Sequence, residues 1–78
     1  MDEDRLPAGK YAIPDPEHIR KFMHNNRDFY GMKFESLHKE INVIGVDEGD
    51  WVTYTVDGHN KDYNMELYPF ERIYKKVD

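Results

Sequence analysis

The chain contains no cysteine and only one serine, Ser36. The absence of cysteine excludes disulfides, thiolate metal ligands and a thiol nucleophile. The sequence also lacks the glycine-flanked serine of hydrolases and a glycine-rich phosphate-binding loop. We therefore expect no catalytic residue, no bound cofactor and no enzymatic activity. A small chain without cysteine also favours the reducing cytoplasm.

Long apolar runs are absent as well. No stretch approaches the ~18 consecutive apolar residues that a membrane-spanning helix needs. The first residues, Met1-Asp2-Glu3-Asp4, are acidic, whereas a signal peptide begins with basic residues and continues with an apolar stretch. The sequence therefore predicts a cytoplasmic protein that has no membrane partner.

Positive charge is scarce in the second half of the chain. The net charge is −5, and residues 41–78 carry eight acids against four Lys or Arg. Contact with nucleic-acid phosphates depends on clustered basic side chains. This half is therefore better suited to a basic protein partner than to RNA or DNA.

Aromatic residues are abundant, at 14 % of the 78 residues. Each aromatic ring buries a large apolar area, which compensates for a hydrophobic content of only 38 %. A chain of this length forms one domain. We expect residues 1–78 to form a single small domain with an aromatic core, in which residues 1–9 are flexible.

A helix is predicted at residues 16–26. Asp15 is suited to cap the free N–H groups of the first turn, and Pro16 is suited to the first helical position. The apolar side chains that follow have helical spacing and make one face: Ile19, Phe22 and Met23.

Residues 41–76 alternate between apolar and polar residues and are divided by turn residues, which is the pattern of an antiparallel sheet. Gly45 predicts a bulge or a close approach of another part of the chain in the first of these strands. In the next strand we place Val52 and Tyr54 on the core face. Trp51 then lies on the outer face or at the rim.

Several shorter segments complete the predicted fold. Residues 10–13 suit a short strand, and residues 28–39 leave two alternatives open, a strand or a helix at 34–40. Residues 68–72 predict a one-turn 3₁₀ connector, and residues 73–77 a final strand. The fold class is α+β: a small, strongly curved antiparallel sheet or closed barrel of four or five strands, with one N-terminal helix.

Three features of the second half occur in a familiar order. A Gly49-Asp50-Trp51 tripeptide opens a strand, Gly58 lies in the next turn, and Pro69 precedes the last strand. This order is similar to that of SH3-like barrels, and the resemblance covers residues 41–77. It implies an SH3-like barrel topology for this part of the chain.

The peptide-binding features of SH3 domains are missing from the sequence. Residues 10–13 contain one Tyr instead of the family's aromatic first-strand motif. Val52 follows Trp51 where the family has a second Trp, and Phe70-Glu71 follows Pro69 where it has an Asn-Tyr pair. The resemblance therefore implies the topology and not the binding of proline-rich peptides.

Two groups of side chains are candidates for partner binding. Trp and Tyr often anchor interfaces, and a small sheet cannot bury both of its faces. The aromatic group is Trp51, Tyr54, Tyr63, Tyr68, Phe70 and Tyr74. The acidic group comes from two turns that we expect to meet at one rim: Asp47, Glu48, Asp50, Asp57 and Asp62. The alternatives are an ordinary aromatic core and ordinary solvated turns.

From these two groups we predict one set of partner-binding residues: Trp51, Asp50, Glu48, Asp47, Tyr54, Tyr68 and Phe70.

No metal site is predicted. The four histidines lack the spacing of metal ligands: His18, His24, His38 and His59. Residues 47–50 lack the spaced oxygen ligands of a calcium loop. In so short a chain we also expect too little room for a substrate pocket of ~300 Å³ or more.

These features predict a non-catalytic protein-interaction module. Small size, acidity and a lack of motifs are typical of accessory or inhibitor proteins such as those that phages encode, so the expected partner is a host protein with a basic surface. An exposed edge strand would also allow self-association. The alternative is a nucleic-acid-related barrel, which either contacts RNA or DNA through its aromatic residues or mimics nucleic acid with its acidic turns.

Overall fold

Five antiparallel strands form one sheet in the computed structural model, which describes residues 6–25 and 29–77. The strand order is β4-β3-β2-β1-β5. The strands are β1 Gly9–Ala12, β2 Glu40–Val46, β3 Trp51–Thr55, β4 Asp62–Glu66 and β5 Lys75–Lys76. Two α-helices, α1 Pro16–Asn25 and α2 Leu67–Ile73, and two 3₁₀ turns, Phe29–Gly31 and Phe34–Ser36, connect them. The α+β prediction is confirmed.

The sheet is open, so the closed-barrel alternative is wrong. Strands β4 and β5 are the two edges of the sheet. β5 has only two residues and pairs with β1. Helix α2 lies in the connection between β4 and β5, and these two strands do not pair with each other.

Helix α1 begins and ends close to its predicted limits. The Oδ1 atom of Asp15 accepts a hydrogen bond from the backbone N–H of His18 at 3.2 Å, which is the predicted cap. Ile19 and Met23 are buried, so the predicted apolar face packs against the core. The last predicted position, residue 26, lies outside the described residues.

Between α1 and β2, the described residues 29–39 contain only single turns. These 3₁₀ turns replace the strand that was one alternative for residues 28–39, so that alternative is wrong, and the helical alternative is reduced to one turn. Residue 28 lies outside the described residues. Tyr30 and Gly31 have φ angles of 54° and 69°, and this left-handed pair is incompatible with a regular strand or helix.

Strands β2 and β3 follow the sequence pattern closely. The register shifts between Val43 and Gly45, which is the predicted bulge. Val52 and Tyr54 are buried, whereas Trp51 keeps 41 % of its surface exposed. The predicted faces of β3 are therefore confirmed.

Helix α2 is longer than the 3₁₀ connector predicted from Pro69. A proline fits here because the N–H groups of a helix's first turn have no intrahelical partner. Phe70 and Ile73 are completely buried, three positions apart on one face of the helix. Continuing the helix through Ile73 leaves only a two-residue β5 in place of the predicted strand at 73–77.

The core lies between the sheet and the two helices. The ring of Phe70 contacts those of Tyr11 and Tyr74, each at a centroid distance of 5.2 Å. Leu6 is also buried and Gly9 begins β1, while residues 1–5 lie outside the described residues. Among the described helices, none is long and apolar enough to cross a membrane.

Candidate functional site

An open groove of about 580 Å³ lies beside β4. Strand β4 lines it with Asn64, Met65 and Glu66, and other parts of the fold contribute Tyr30, Gly31, Met32, Lys33, Ser36, Leu37, Trp51, Tyr54 and Pro69. The expectation that this chain has too little room for a pocket is wrong. One part of its lining comes from the irregular residues 30–37, and another part from β3 and β4.

Trp51 is positioned by the turn between β2 and β3. The Oδ1 atom of Asp47 accepts hydrogen bonds from the backbone N–H groups of Gly49 and Trp51 at 2.9 and 3.0 Å. The backbone N–H of Asp47 in turn donates to the carbonyl oxygen of Trp51 at 3.0 Å. Asp47, predicted to bind a partner, therefore has a structural role in fixing the start of β3.

Two further exposed rings lie close to Trp51. Tyr30 and Tyr68 are 46 % and 57 % exposed, and their ring centroids are 5.8 Å apart. Tyr30 also contacts the ring of Phe29 edge-on at 5.0 Å. Partial desolvation raises the pKa of Tyr30, and the nearby Tyr68 and Glu66 raise it further. Tyr68 was predicted to belong to the site, whereas Tyr30 was missed.

A second pocket, of about 440 Å³, adjoins the ring of Trp51. Three of its lining residues are acidic, Asp50, Glu66 and Glu71, and its other residues include Trp51 and Tyr68. The backbone N–H of Leu67 donates to the carbonyl oxygen of Asp50 at 2.8 Å, which brings the start of α2 beside the start of β3. This long-range contact places Glu66 and Glu71 in the site, and sequence reasoning did not find them.

The single acidic rim predicted from two turns is wrong. Residues 47–50 and 57–60 connect consecutive antiparallel strands, so they lie at opposite ends of β3. Asp57 instead accepts a hydrogen bond from Asn42 at 2.8 Å and lies 3.6 Å from the ammonium group of Lys10. Both interactions lower the pKa of Asp57, the Asn42 hydrogen bond most.

Three of the predicted aromatic surface residues lie in the core. Tyr54, Phe70 and Tyr74 are buried, because Tyr54 faces inward from β3 and α2 turns Phe70 into the core. Burial raises the pKa of Tyr54, whose ring stacks on that of Tyr63 at 5.5 Å. Tyr54 still lines the groove, but Phe70 is not available at the surface.

The histidines do not assemble a metal site. His38 and His59 approach each other with ring centroids 5.1 Å apart, and the Nδ1 atom of His59 lies 2.7 Å from the hydroxyl of Tyr63. Within residues 6–25 and 29–77, no group of three or more histidine or acidic side chains is arranged to hold a metal ion.

Glu48, the remaining predicted partner residue, is exposed in the turn before Trp51.

Comparison with known protein families, with curated proteins and with solved structures finds no match to this chain. The function is therefore inferred from the geometry of the groove and of the pocket beside Trp51.

Proposed function

We propose that the protein is a non-catalytic protein-interaction module that binds its partner through the Trp51 surface. We define this surface as Tyr30, Trp51, Glu66, Tyr68 and Glu71. The observation that carries the proposal is that three aromatic rings, each 41 % exposed or more, border adjoining spaces. Tyr30 and Trp51 line the groove of about 580 Å³, and Tyr68 contacts Tyr30 and lines the second pocket together with Trp51. Trp and Tyr are enriched among the residues that dominate binding energy at interfaces.

The charge of the Trp51 surface supports a basic partner. Asp50, Glu66 and Glu71 line the pocket beside the Trp51 ring. An Arg or Lys side chain of a partner would lie over the indole ring in a cation–π contact, with these carboxylates around it. Lys33 lines the groove farther along, so the acidic character belongs to the Trp51 end. An accessory or inhibitor protein of the phage type would cover a basic surface of a host protein in this way.

The test compares the proteins that three baits retain from a lysate, measured by quantitative mass spectrometry. The baits are the wild-type chain, Trp51→Ala and Ile44→Ala. Ile44 is 56 % exposed and lies in β2 outside both pockets, so its variant removes a comparable exposed side chain elsewhere. We expect a partner that the wild type and Ile44→Ala retain and Trp51→Ala loses.

Glu71→Lys is the second variant for this test, because it reverses one charge of the Trp51 surface from an exposed position on α2. It is expected to weaken retention of the same partner. Circular dichroism of each variant checks that the fold persists. If every folded variant retained the same proteins, the Trp51 surface would not be the binding site.

A nucleic-acid-related role is the second candidate function. The three carboxylates beside Trp51 disfavour direct contact with phosphates and favour a mimic that occupies a nucleic-acid-binding protein. Titration with random RNA and DNA oligonucleotides at two salt concentrations distinguishes these versions, because direct binding weakens steeply as salt rises. We expect no oligonucleotide binding at either concentration, and salt-sensitive binding would support direct contact instead.

A further inference from the structure

The outer edge of β4 carries backbone groups that point away from the sheet. The N–H of Leu67 donates to the carbonyl oxygen of Asp50, so these two residues are a hydrogen-bonded pair. Val52 and Met65 are the pair two positions further along the two strands. In an antiparallel ladder every second pair is hydrogen-bonded. Met65 therefore bonds to β3, whereas the backbone groups of Asn64 point outward.

The same alternation holds along the whole of β4. Tyr63 bonds to β3 as Met65 does, and Asp62 and the N–H of Glu66 point outward with Asn64. The carbonyl of Glu66 is not available at this edge. Glu66 is the N-cap of α2, and an N-cap carbonyl accepts the first hydrogen bond within the helix. In the part of the chain that the structure describes, no strand pairs with this edge.

The groove lies along this edge. Asn64, Met65 and Glu66 line it. The unpaired backbone groups of Asn64 and the unpaired N–H of Glu66 therefore border an open space that an added strand can enter. A row of unpaired N–H and C=O groups is a template for another strand. An extended peptide that adds to such an edge gains affinity from backbone hydrogen bonds and specificity from alternate side chains.

We propose that the occupant of the groove is an extended basic segment of a partner protein, which adds to β4 as a sixth strand. This inference rests on the protein-interaction function proposed above and names its partner chemistry. Side chains of the added strand point alternately to the two faces of the sheet. The two faces beside β4 differ, so the segment carries a matching alternation.

The core side of the groove is apolar, whereas the opposite face of β4 carries two carboxylates, Asp62 and Glu66. Met65 lies on the core face with Val52, and Met32 and Leu37 pack against the core from the neighbouring segment. Trp51 and Glu66 are cross-strand partners and lie on the opposite face. The added segment is therefore expected to alternate apolar residues with Lys or Arg.

A second copy of this chain fits the edge poorly. Two β4 strands paired antiparallel about Asn64 would place Asp62 of one copy opposite Glu66 of the other. Like charges directly opposite each other destabilise a strand pair. A basic segment replaces this repulsion with attraction, so charge complementarity selects the basic partner over self-association.

Asn64→Pro tests strand addition, with Asn64→Ala as its matched control. Proline removes an outward-pointing N–H, which leaves the β3–β4 hydrogen bonds intact, and edge strands tolerate proline at such positions. The probe is a synthetic seven-residue peptide that alternates Val with Lys and Arg. Trp51 is the only tryptophan, so its fluorescence reports binding directly.

We expect the basic peptide to change the emission of Trp51 and to slow hydrogen exchange at the amides of Asn64 and Glu66. Binding to Asn64→Ala should stay within about twofold of wild type, and binding to Asn64→Pro should weaken at least ~10-fold, as expected for the loss of a ladder hydrogen bond and a strand clash. A peptide N-methylated at alternate residues should bind the wild type at least ~10-fold more weakly than the unmodified peptide does. This comparison keeps the test valid if Asn64→Pro does not fold.

Four results would overturn the inference. The first is no binding of the basic peptide, and the second is equal binding of a counterpart in which Glu replaces Lys and Arg. The third is that the N-methylated peptide binds the wild type as tightly as the unmodified peptide does, or that folded Asn64→Pro binds the basic peptide as tightly as wild type does. The fourth is a dimer in sedimentation that Asn64→Pro disrupts. If Trp51-dependent capture persisted in any of these cases, the proposed function would stand without strand addition. If that capture failed too, both would be wrong.

Discussion

Tyr30 shows how a single residue is held at the Trp51 surface. Its φ of 54° and ψ of 27° lie in the left-handed region, which costs a residue with a side chain about 1–2 kcal/mol. Contacts with Phe29 and Tyr68 offset this cost, at about 0.5–1.5 kcal/mol for each aromatic pair. The conformation presents an exposed ring to the groove.

Tyr30→Gly is therefore expected to change stability by less than about 1 kcal/mol while abolishing partner retention. Glycine adopts the left-handed conformation without strain, so relief of strain balances the lost ring contacts. Urea denaturation and the capture comparison measure the two effects. A loss of stability above about 3 kcal/mol with retention unchanged would mean that Tyr30 has a structural role only.

Tyr74 shows the opposite environment. Its ring is buried, its hydroxyl donates to the carbonyl oxygen of His38 at 2.5 Å, and burial raises the pKa of Tyr74 well above its ordinary value. A raised pKa in the folded state means that folding favours the protonated hydroxyl. The corresponding stability is complete below the unfolded pKa of about 10 and is lost as the pH rises above it.

We expect the thermal midpoint of the wild-type chain to fall between pH 9 and pH 11, in the window that begins just below the unfolded tyrosine pKa of about 10. Tyr74→Phe should lower stability at pH 7 by about 1 kcal/mol, because the hydrogen bond to His38 is lost. The same variant should show a smaller alkaline decrease, with Tyr54 accounting for part of the remainder. An unchanged alkaline slope in Tyr74→Phe would contradict this assignment.

At the scale of secondary-structure elements, the sequence predicted the helices and strands whose signals lie within a few neighbouring residues. Helix α1 has a cap and an apolar face within ten residues, and β3 has a strict alternation that placed Trp51 on the outer face or at the rim, where it is 41 % exposed. Helix α2 was not predictable, because Pro69 marks the first turn of a helix as well as a 3₁₀ turn. Its extension buries Phe70, which the sequence had placed at the surface.

The candidate site was predictable only where it depends on local geometry. Trp51 and Tyr68 were found, because a turn beside a strand exposes large side chains. Tyr30, Glu66 and Glu71 were missed because contacts between distant residues bring them together. The left-handed pair at Tyr30 and Gly31 is the one local signal, since glycine often follows a chain reversal.

The cap of α1 provides a prediction at this scale. Asp15→Ala should cost about 1 kcal/mol of stability, the usual loss of an N-cap side chain. Lys21→Ala is the control, because Lys21 is exposed in the middle of α1, where surface substitutions usually change stability by less than about 0.5 kcal/mol. Urea denaturation measures both, and equal losses would show that Asp15 does not cap the helix.

At the scale of the whole molecule, stability depends on a small core beneath an open sheet. Phe70 is completely buried between sheet and helix and contacts both Tyr11 and Tyr74. A domain of this size has a total stability of about 4–12 kcal/mol. One large side chain therefore represents a substantial part of the total.

Phe70→Ala is expected to lose about 3–5 kcal/mol and to melt at a clearly lower temperature than wild type. Tyr68→Ala, on the same helix but 57 % exposed, should stay within about 1 kcal/mol of wild type and lose partner retention. Circular dichroism melts compare the two variants. If Tyr68→Ala unfolded as readily as Phe70→Ala, the two faces of α2 would be wrongly assigned.

The open sheet leaves the β4 edge and the Trp51 surface next to each other, and we propose that the partner binds on this side of the molecule. Hydrogen–deuterium exchange of the chain, alone and with the partner that the wild-type bait retains, tests this most directly. We expect slowed exchange at Trp51, Asn64 and Glu66, with α1 unchanged. Protection confined to α1, with the groove residues exchanging as they do in the free chain, would contradict it.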